Sequence, residues 1–490
     1  KWYKTIIALF LLLFGSAVLL PSEWGWTRTL GPIVVISLGF CFWSWVGSYI
    51  YLYSRIWYTP FIPILFTYVF LLTEPFNNNH SIRTLSYQVD ERPTIREHLQ
   101  HWLKQKFELG KNDSLPTHVF IVSAEGGGVR SAYWASGVLA WLENKTNNRF
   151  HENVIAVSGV SGGSVGLAFF SNGLNTLLHN RNCKELSQKL GATSSFDFLS
   201  DLNRGLVFND VVQKICPLPI NALDRAQKLE DAFSQSFSEN FGGKMSIDKG
   251  LCATYAEYKQ PFNPCLIFNT THVETGRKAI VSNCRIGPKN QFFYDVIDLL
   301  DKAGQDVPIK CAVSMSSRFP FVTPPALIER KNGDSWGHVV DGGYFENSGL
   351  HSTWQICMEL SSVIEEEIAG SESLSYKRFL QQLSVKVVYL KNSLTLKEED
   401  VRPMKIEELA PANAFINAWG RKTVTDIKHF ENNISDACFY LIKLHRYEDD
   451  GIPLGWYLSN DACSQIKNQL NKLDTIGDVQ DLLKTLSVLK

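Results

Sequence analysis

Two overlapping serine motifs lie in residues 154–166, VIAVSGVSGGSVG, where the pattern Gly-x-Ser-x-Gly occurs twice. Glycines around a serine allow a sharp turn from a strand into a helix, which presents the hydroxyl as a nucleophile at the helix N-terminus. Ser161 directly follows a short apolar run. Ser164 would lie about one turn inside the next helix, where a hydroxyl usually bonds back to the backbone. The spacing therefore favours Ser161 as the nucleophile.

A run of three glycines, Gly126, Gly127 and Gly128, precedes this motif by one predicted helix and one predicted strand. Acyl transfer needs N–H groups directed at a developing oxyanion, and glycines can turn their N–H groups inward at low steric cost. A phosphate-binding loop is the competing interpretation, but no Gly-Lys-Ser/Thr follows and Ser131 breaks the pattern Gly-x-Gly-x-x-Gly. Arg130 is interpreted as a brace of the loop, a contact for a phosphate headgroup, or an ordinary surface residue.

A candidate base follows later in the chain, because a serine nucleophile must lose its proton. In HVVDGGYFENSG, Asp341 ends a short apolar strand and precedes two glycines. The alternative is the Asp-Gly turn of an ordinary hairpin. Three histidines after Asp341 leave open a Ser-Asp-His triad in the chain order of α/β-hydrolases: His351, His429 and His445.

The elements around these residues alternate between strand and helix. HVFIVSAE and NVIAVS are short β-branched or apolar runs that end in glycines, and each precedes a segment with helical spacing of apolar residues. Two consecutive strand–loop–helix units indicate a parallel α/β sheet, whose ligands bind at the carboxyl ends of the strands. Further strands are predicted in CLIFNTTHV, VKVVYLKN and ACFYLIKLH. The sequence therefore predicts an α/β catalytic domain over residues 116–490.

Three runs near the N-terminus carry no charged residue: 5–22, 29–54 and 56–73. Each reaches the length of about 18 residues that crosses a bilayer, and Trp and Tyr crowd their ends. They predict a transmembrane region of about three spans within residues 1–75. Lys and Arg are balanced on the two sides, so the orientation stays open. A cleaved signal peptide would explain only the first run, and a buried hairpin only the third.

Residues 76–115 are predicted to be a polar linker followed by an amphipathic helix in TIREHLQHWLKQKFEL. The net charge of -1 gives no reason to expect a nucleic acid partner. The ten cysteines are scattered without a Cys-x-x-Cys motif, which argues against a metal site and favours a reducing, cytoplasmic location for the catalytic domain. No cofactor is expected.

Three segments, AEGGGVRSAYWASGVLAWLE, GVSGG and DGGYFENSG, resemble in this order the patatin-like phospholipase family, which is related to cytosolic phospholipase A2. The resemblance is strong over residues 116–350. It implies a three-layer α/β/α domain with a mostly parallel sheet and a Ser161–Asp341 dyad. The implied oxyanion loop consists of Gly126, Gly127, Gly128 and Arg130.

Two positions depart from the family pattern: Glu125 stands where Asp is frequent, and Ser131 where many members have Gly. Neither removes a catalytic atom. The resemblance and the apolar runs together predict a membrane-anchored serine lipid acyl hydrolase of the phospholipase A or lysophospholipase type. Its substrate would be a phospholipid or glycerolipid, and helices around 184–250 would cap an acyl pocket. The alternatives are an esterase with a catalytic triad and a non-catalytic membrane signalling protein; the oligomeric state is not predicted.

Overall fold

A computed structural model of the protein describes residues 25–487, with gaps, and a few residues before them. The gaps are 87–88, 110–116, 178–182, 243–246, 258–262, 288–289, 320–321 and 446–450, and between 393 and 437 only isolated residues are described. Most of the first predicted span and His429 therefore lie outside the described residues.

The described strands form one nine-stranded sheet. They are β1 (His118–Ala124), β2 (Val154–Val160), β3 (Cys265–His272), β4 (Lys278–Ser282), β5 (Ile297–Asp298), β6 (Ala326–Glu329), β7 (Ser335–Asp341), β8 (Ser384–Lys391) and β9 (Phe439–Lys443). The main order is β5-β4-β3-β2-β1-β8-β9, and β7 pairs with both β3 and β6. The pairs along β3-β2-β1-β8-β9 are all parallel, which confirms the predicted mostly parallel α/β sheet.

Helices connect these strands. They are α1 (Trp26–Leu30), α2 (Pro32–Ile56), α3 (Phe61–Tyr68), α4 (Ile95–Leu109), α5 (Gly128–Lys145), α6 (Gly162–Leu177), α7 (Cys183–Ser194), α8 (Leu199–Arg204), α9 (Asp210–Ile215), α10 (Arg225–Phe241), α11 (Leu251–Glu257), α12 (Leu299–Ala303), α13 (Ile309–Ser316), α14 (Leu350–Gly370), α15 (Leu374–Gln381), α16 (Asn460–Asn471) and α17 (Gly477–Leu486). The predicted helices after β1 and β2 correspond to α5 and α6.

Both faces of the sheet are covered by helices. Along β1, Phe120 and Val122 belong to an apolar cluster with α5 and α6, whereas Val119 and Ile121 belong to a second cluster with α4 and α14. A strand that is buried on both faces has no alternation of polar and apolar residues. Its sequence is a nearly continuous apolar run, as in HVFIVSA. The result is the three-layer α/β/α arrangement.

Strand β3 places the carboxyl end of β2 next to the end of β7. Val160 pairs with Asn269 on β3, and the next residue of β3, Thr270, pairs with Asp341. The residue after Val160 is Ser161. Two candidate residues that are 180 positions apart in sequence therefore flank the same strand.

The helices of segment 184–250, which was predicted to be a cap, share the main apolar core. Leu190 of α7 and Phe233 and Phe237 of α10 belong to the same cluster as Phe120 of β1 and are fully buried. Removing this segment would expose that core, so its contribution must be tested by point substitutions.

One described helix is long and apolar enough to cross a membrane, namely α2 with 25 residues. At 1.5 Å per residue it extends about 37 Å, against a hydrocarbon core of about 30 Å. It coincides with the second predicted span. The third run continues from α3 through a π-helical turn to Thr73 and is only about 20 Å long, which is too short to span. Among the described residues, the structure therefore supports one candidate anchor and does not support a multi-pass region.

A packing prediction follows from the contact between α5 and α6. A Cβ on Gly166 would lie 2.7 Å from the carbonyl oxygen of Ala132. We expect Gly166→Ala to lower the free energy of unfolding by about 1–3 kcal/mol, because the two helices must separate. Gly370→Ala is the control, since nothing lies within 4 Å of its added Cβ. Equal melting temperatures for the two variants would contradict this account.

Candidate active site

Ser161 lies at the corner between β2 and α6 in a strained conformation. Its φ is 52°, in the left-handed region that non-glycine residues rarely adopt, and its side chain is 5% exposed. The turn is sharp because its neighbours have no side chains. A Cβ on Gly162 would lie 1.8 Å from the carbonyl oxygen of Gly128, and one on Gly163 would lie 2.4 Å from that of Ala124. This geometry is that of a nucleophile elbow.

Ser164, the centre of the second motif, is fully buried inside α6. Its Oγ lies 2.8 Å from the Oγ of Ser316 at the end of α13. The hydroxyl therefore bonds to a neighbouring helix, instead of to its own backbone as the sequence suggested. It contributes to the support of the elbow.

The backbone of Ser161 is held by residues that sequence reasoning did not identify. Its N–H donates to both the Oγ and the carbonyl oxygen of Ser316, at 3.1 and 3.2 Å. Ser316 Oγ donates to the Asn269 carbonyl at 2.6 Å, and Asn269 Nδ2 donates to the Gly159 carbonyl at 2.8 Å. These bonds fasten the elbow to β3. Ser316 lies in AVSMSSRFPFVTPP, where the sequence offered no signal for this role.

The carboxyl group of Asp341 is buried beside the elbow. Burial raises its pKa to about 6, although hydrogen bonding to the Ser161 hydroxyl and the Gly343 N–H opposes the rise. Its Oδ1 accepts the Gly343 N–H at 2.8 Å. Among the described residues, Oδ2 makes no hydrogen bond within the usual distance and angle limits. Oδ2 is therefore the oxygen available to receive the Ser161 proton.

The backbone of Asp341 is fixed from two sides. Its N–H donates to the Arg318 carbonyl at 3.1 Å, and its carbonyl accepts the Thr271 hydroxyl at 3.0 Å. The same Thr271 hydroxyl accepts the Phe345 N–H at 3.1 Å. Since Asn269 holds the elbow and Thr271 holds Asp341, one short piece of β3 sets the distance between the two candidate catalytic groups.

The glycine loop lies against the elbow. The N–H of Gly126 donates to the Asn347 carbonyl and that of Val129 to the Gly455 carbonyl, each at 2.9 Å. Gly128 has a φ of 60°, and a Cβ there would lie 2.3 Å from the Gly455 oxygen. Among the described residues, the N–H groups of Gly127 and Gly128 have no hydrogen-bond partner. They are the donors that could bind an oxyanion.

Arg130 lies behind this loop and is only 4% exposed. Its Nε donates to Asn392 Oδ1 at 2.9 Å, and Asn392 Nδ2 donates to the Gly126 carbonyl at 2.9 Å. Glu125 Oε2 accepts the Asn392 N–H at 2.7 Å, and the Ser131 hydroxyl donates to the Glu125 carbonyl. The two residues that depart from the family pattern thus brace the loop from inside, and Arg130 acts through Asn392.

Two of the candidate triad histidines have described contacts with other residues. His351 Nδ1 lies 3.2 Å from Lys278 Nζ, and its ring contacts Phe345. The backbone of His445 exchanges hydrogen bonds with the Gln469 side chain. A side-chain hydrogen bond links the carboxyl group of Asp341 to Ser161.

The role of Thr271 can be tested with a fluorophosphonate ester that reacts with nucleophilic serines. Thr271→Val keeps the side-chain shape but removes the hydroxyl that holds Asp341. We expect labelling of Ser161 to slow about ten- to a hundredfold, as for a small displacement of a reacting group. Thr271→Ser retains the hydroxyl and should label at nearly the wild-type rate. If Thr271→Val reacts as fast as Thr271→Ser, the hydroxyl does not position Asp341.

The raised pKa of Asp341 predicts a pH dependence for the same labelling reaction. Only the ionised carboxylate can accept a proton, so the rate should be maximal above pH 6 and fall as the pH drops through about 6. The Asp341→Asn variant should react slowly, with no inflection near that pH. An inflection retained in Asp341→Asn would assign it to another group.

Comparison with known proteins shows what these residues are similar to. Residues 122–354 match the family described as patatin-like phospholipase. No curated protein matches the chain. Among solved structures, VipD from Legionella pneumophila is 11% identical with a TM-score of 0.32, and the match covers 76% of this chain and 67% of VipD.

Human GIVD cytosolic phospholipase A2, bound to methyl gamma-linolenyl fluorophosphonate, is 12% identical with a TM-score of 0.36. That match covers 81% of this chain and 62% of the human one, so this chain spans less than two thirds of the human enzyme. Similarity at this level says nothing about the activity. The family match over residues 122–354 contains Ser161, Asp341 and the three glycines.

Proposed function

We propose that the protein is a membrane-associated serine lipid acyl hydrolase that uses a Ser161–Asp341 dyad. The observation that carries this proposal is the pairing of a strained, buried serine with a buried carboxyl group across β3. The family match supports a phospholipase-type reaction on a lipid ester.

In the first half of the reaction, Asp341 Oδ2 takes the proton of Ser161 as Oγ attacks the ester carbonyl carbon. A bond forms between Oγ and that carbon, and the carbonyl oxygen becomes an oxyanion. The N–H groups of Gly127 and Gly128 stabilise this charge. When the carbon–oxygen bond to the alcohol breaks, the leaving oxygen takes the proton back from Asp341, and Ser161 remains acylated.

In the second half, water replaces the alcohol. Asp341 takes a proton from the water as its oxygen attacks the acyl carbon, and the same N–H groups bind the new oxyanion. The bond to Ser161 Oγ breaks and Oγ recovers a proton, which releases the fatty acid. The carboxylate is thus a base in one step and an acid in the next. A pKa near 6 suits both roles at neutral pH.

The substrate class is inferred from the location of the site beside an apolar helix. A bilayer-length apolar helix, α2, packs on helices of the catalytic domain. We infer that the chain works at a membrane surface on a phospholipid or glycerolipid ester. The role of the helices in segment 184–250 as a cap over an acyl pocket stays a prediction.

A comparison of wild type with Ser161→Ala tests the activity. Ser161→Ala and Asp341→Asn should each reduce release of fatty acid from phospholipid vesicles by at least about a thousandfold, because each removes a reacting group. Ser195→Ala is the matched control, since its exposed hydroxyl bonds only to the end of its own helix. A lipidomic comparison then identifies the lipid that accumulates. Wild-type protein that neither hydrolyses lipid esters nor forms a fluorophosphonate adduct at Ser161 would support a non-catalytic protein.

The histidines distinguish the dyad from a triad. Replacing His351, His429 and His445 one at a time by Gln should leave each variant with most of its activity. Loss of about four orders of magnitude in any one of them would instead identify that histidine as the base.

A further inference from the structure

A short apolar loop on the catalytic domain continues the exposed surface of the N-terminal helices. Residues 215–220, with the sequence ICPLPI, begin at the last residue of α9 and are called the cap loop. Leu218 is 69% exposed, and Ile215 and Ile220 are 42% and 39% exposed. Phe76, on the chain leaving the apolar helices, is 69% exposed. Monomeric proteins seldom expose apolar side chains in a contiguous group of this kind.

The cap loop is fastened to the chain that leaves the apolar helices. The Tyr68 hydroxyl donates to the Ile215 carbonyl at 3.2 Å, and the Thr73 hydroxyl donates to the Lys214 carbonyl at 2.6 Å. At the other end of the loop, Asn79 Nδ2 donates to the Ile220 carbonyl at 2.9 Å. The loop therefore keeps a fixed position beside the end of the apolar region.

Helix α2 packs against the catalytic domain along part of its length. Phe42 packs on Phe208, and the indole N–H of Trp43 donates to the Val207 carbonyl. Asn203 Nδ2 donates to the Pro32 carbonyl at 3.0 Å. Helix α2 contacts the catalytic domain from its first residue to Trp43. A bilayer that binds the outer face of α2 therefore also lies close to the helices that precede the cap loop.

Part of the backbone of the cap loop is paired with protein groups, an arrangement that burial in hydrocarbon favours. Two of its six residues, Pro217 and Pro219, have no N–H. The buried side chain of Gln213 serves the middle of the loop, because its Nε2 donates to the Leu218 carbonyl at 2.8 Å and its Oε1 accepts the Ile220 N–H at 2.9 Å. A loop in water needs no such partners, whereas a loop in lipid loses several kcal/mol for each unpaired group.

We propose that the cap loop is a second lipid-contact site, which inserts Leu218 into the membrane leaflet that faces the catalytic domain. The occupant is the hydrocarbon of the bilayer. The reasons are the contact of the loop with the exposed apolar segment Phe61–Thr73, which itself packs on the bilayer-length helix α2, and the pairing of part of its backbone. Lys214 lies at the base of the loop and pairs with Glu74, and in the proposed arrangement this ion pair lies among the lipid headgroups. The proposal rests on the membrane association inferred above, and it places the active domain itself on the lipid surface.

Photo-crosslinking tests the contact without depending on catalysis. A photoreactive phenylalanine analogue is placed at position 218, 40 or 374 of the full chain in phosphatidylcholine vesicles. The vesicles contain an alkyne-tagged diether phospholipid, which cannot be hydrolysed. Phe40, 65% exposed on α2, is the positive control, and Leu374, 81% exposed on α15, is the negative one. We expect lipid adducts at 40 and 218 and none at 374.

An adduct at 40 without one at 218, or a protein adduct at 218, overturns the cap-loop contact but leaves membrane association standing. The absence of lipid adducts at both positions overturns both the cap-loop contact and membrane association.

A second experiment measures hydrolysis. Leu218→Asp should lower the rate on vesicles about tenfold, the loss expected for one buried leucine. Its rate on a soluble short-chain ester and its fluorophosphonate labelling at Ser161 should stay unchanged, as should both rates of Leu374→Asp. Equal vesicle rates for wild type and Leu218→Asp would also overturn the proposal.

Discussion

The backbone of the elbow and the backbone of the glycine loop touch each other, and this close approach determines the rest of the site. Gly162 and Gly163 leave no room for a Cβ against the ends of β1 and its loop. Because β1 and β2 are adjacent parallel strands, both loops emerge at the same edge of the sheet. The N–H groups of Gly127 and Gly128 can then face the hydroxyl of Ser161 only if neither loop carries side chains between them.

Local patterns predicted the parts of the site that lie at strand ends. The apolar runs of β1 and β2, the glycines after them and Asp341 at the end of β7 all have a signal within a few residues of sequence. The residues that hold these parts have none. Ser316, Asn392 and Thr271 are polar residues from distant segments, and only the three-dimensional path of the chain brings them to the loops. The sequence thus contains local signals for the candidate reacting groups and none for the residues that support them.

Hydropathy predicted the N-terminal region less well, because it measures only the length and polarity of a run. The third run contains Pro60 and Pro63, and its helix begins only at Phe61, so the continuous helical length is shorter than the apolar length. Sequence also gave no sign that Phe42 would pack on Phe208. A charge-free segment can therefore have one face on protein and the other exposed.

The residues that brace the glycine loop determine how much of the chain the site needs. Asn392 follows β8, and the carbonyl oxygens of Ile452 and Gly455 receive hydrogen bonds from Arg130 and Val129. All three lie beyond residue 354, where the family match ends. A fragment cut at that boundary would keep every candidate reacting atom and yet lose the residues that brace its glycine loop. The recognisable module and the functional module of this chain thus have different boundaries.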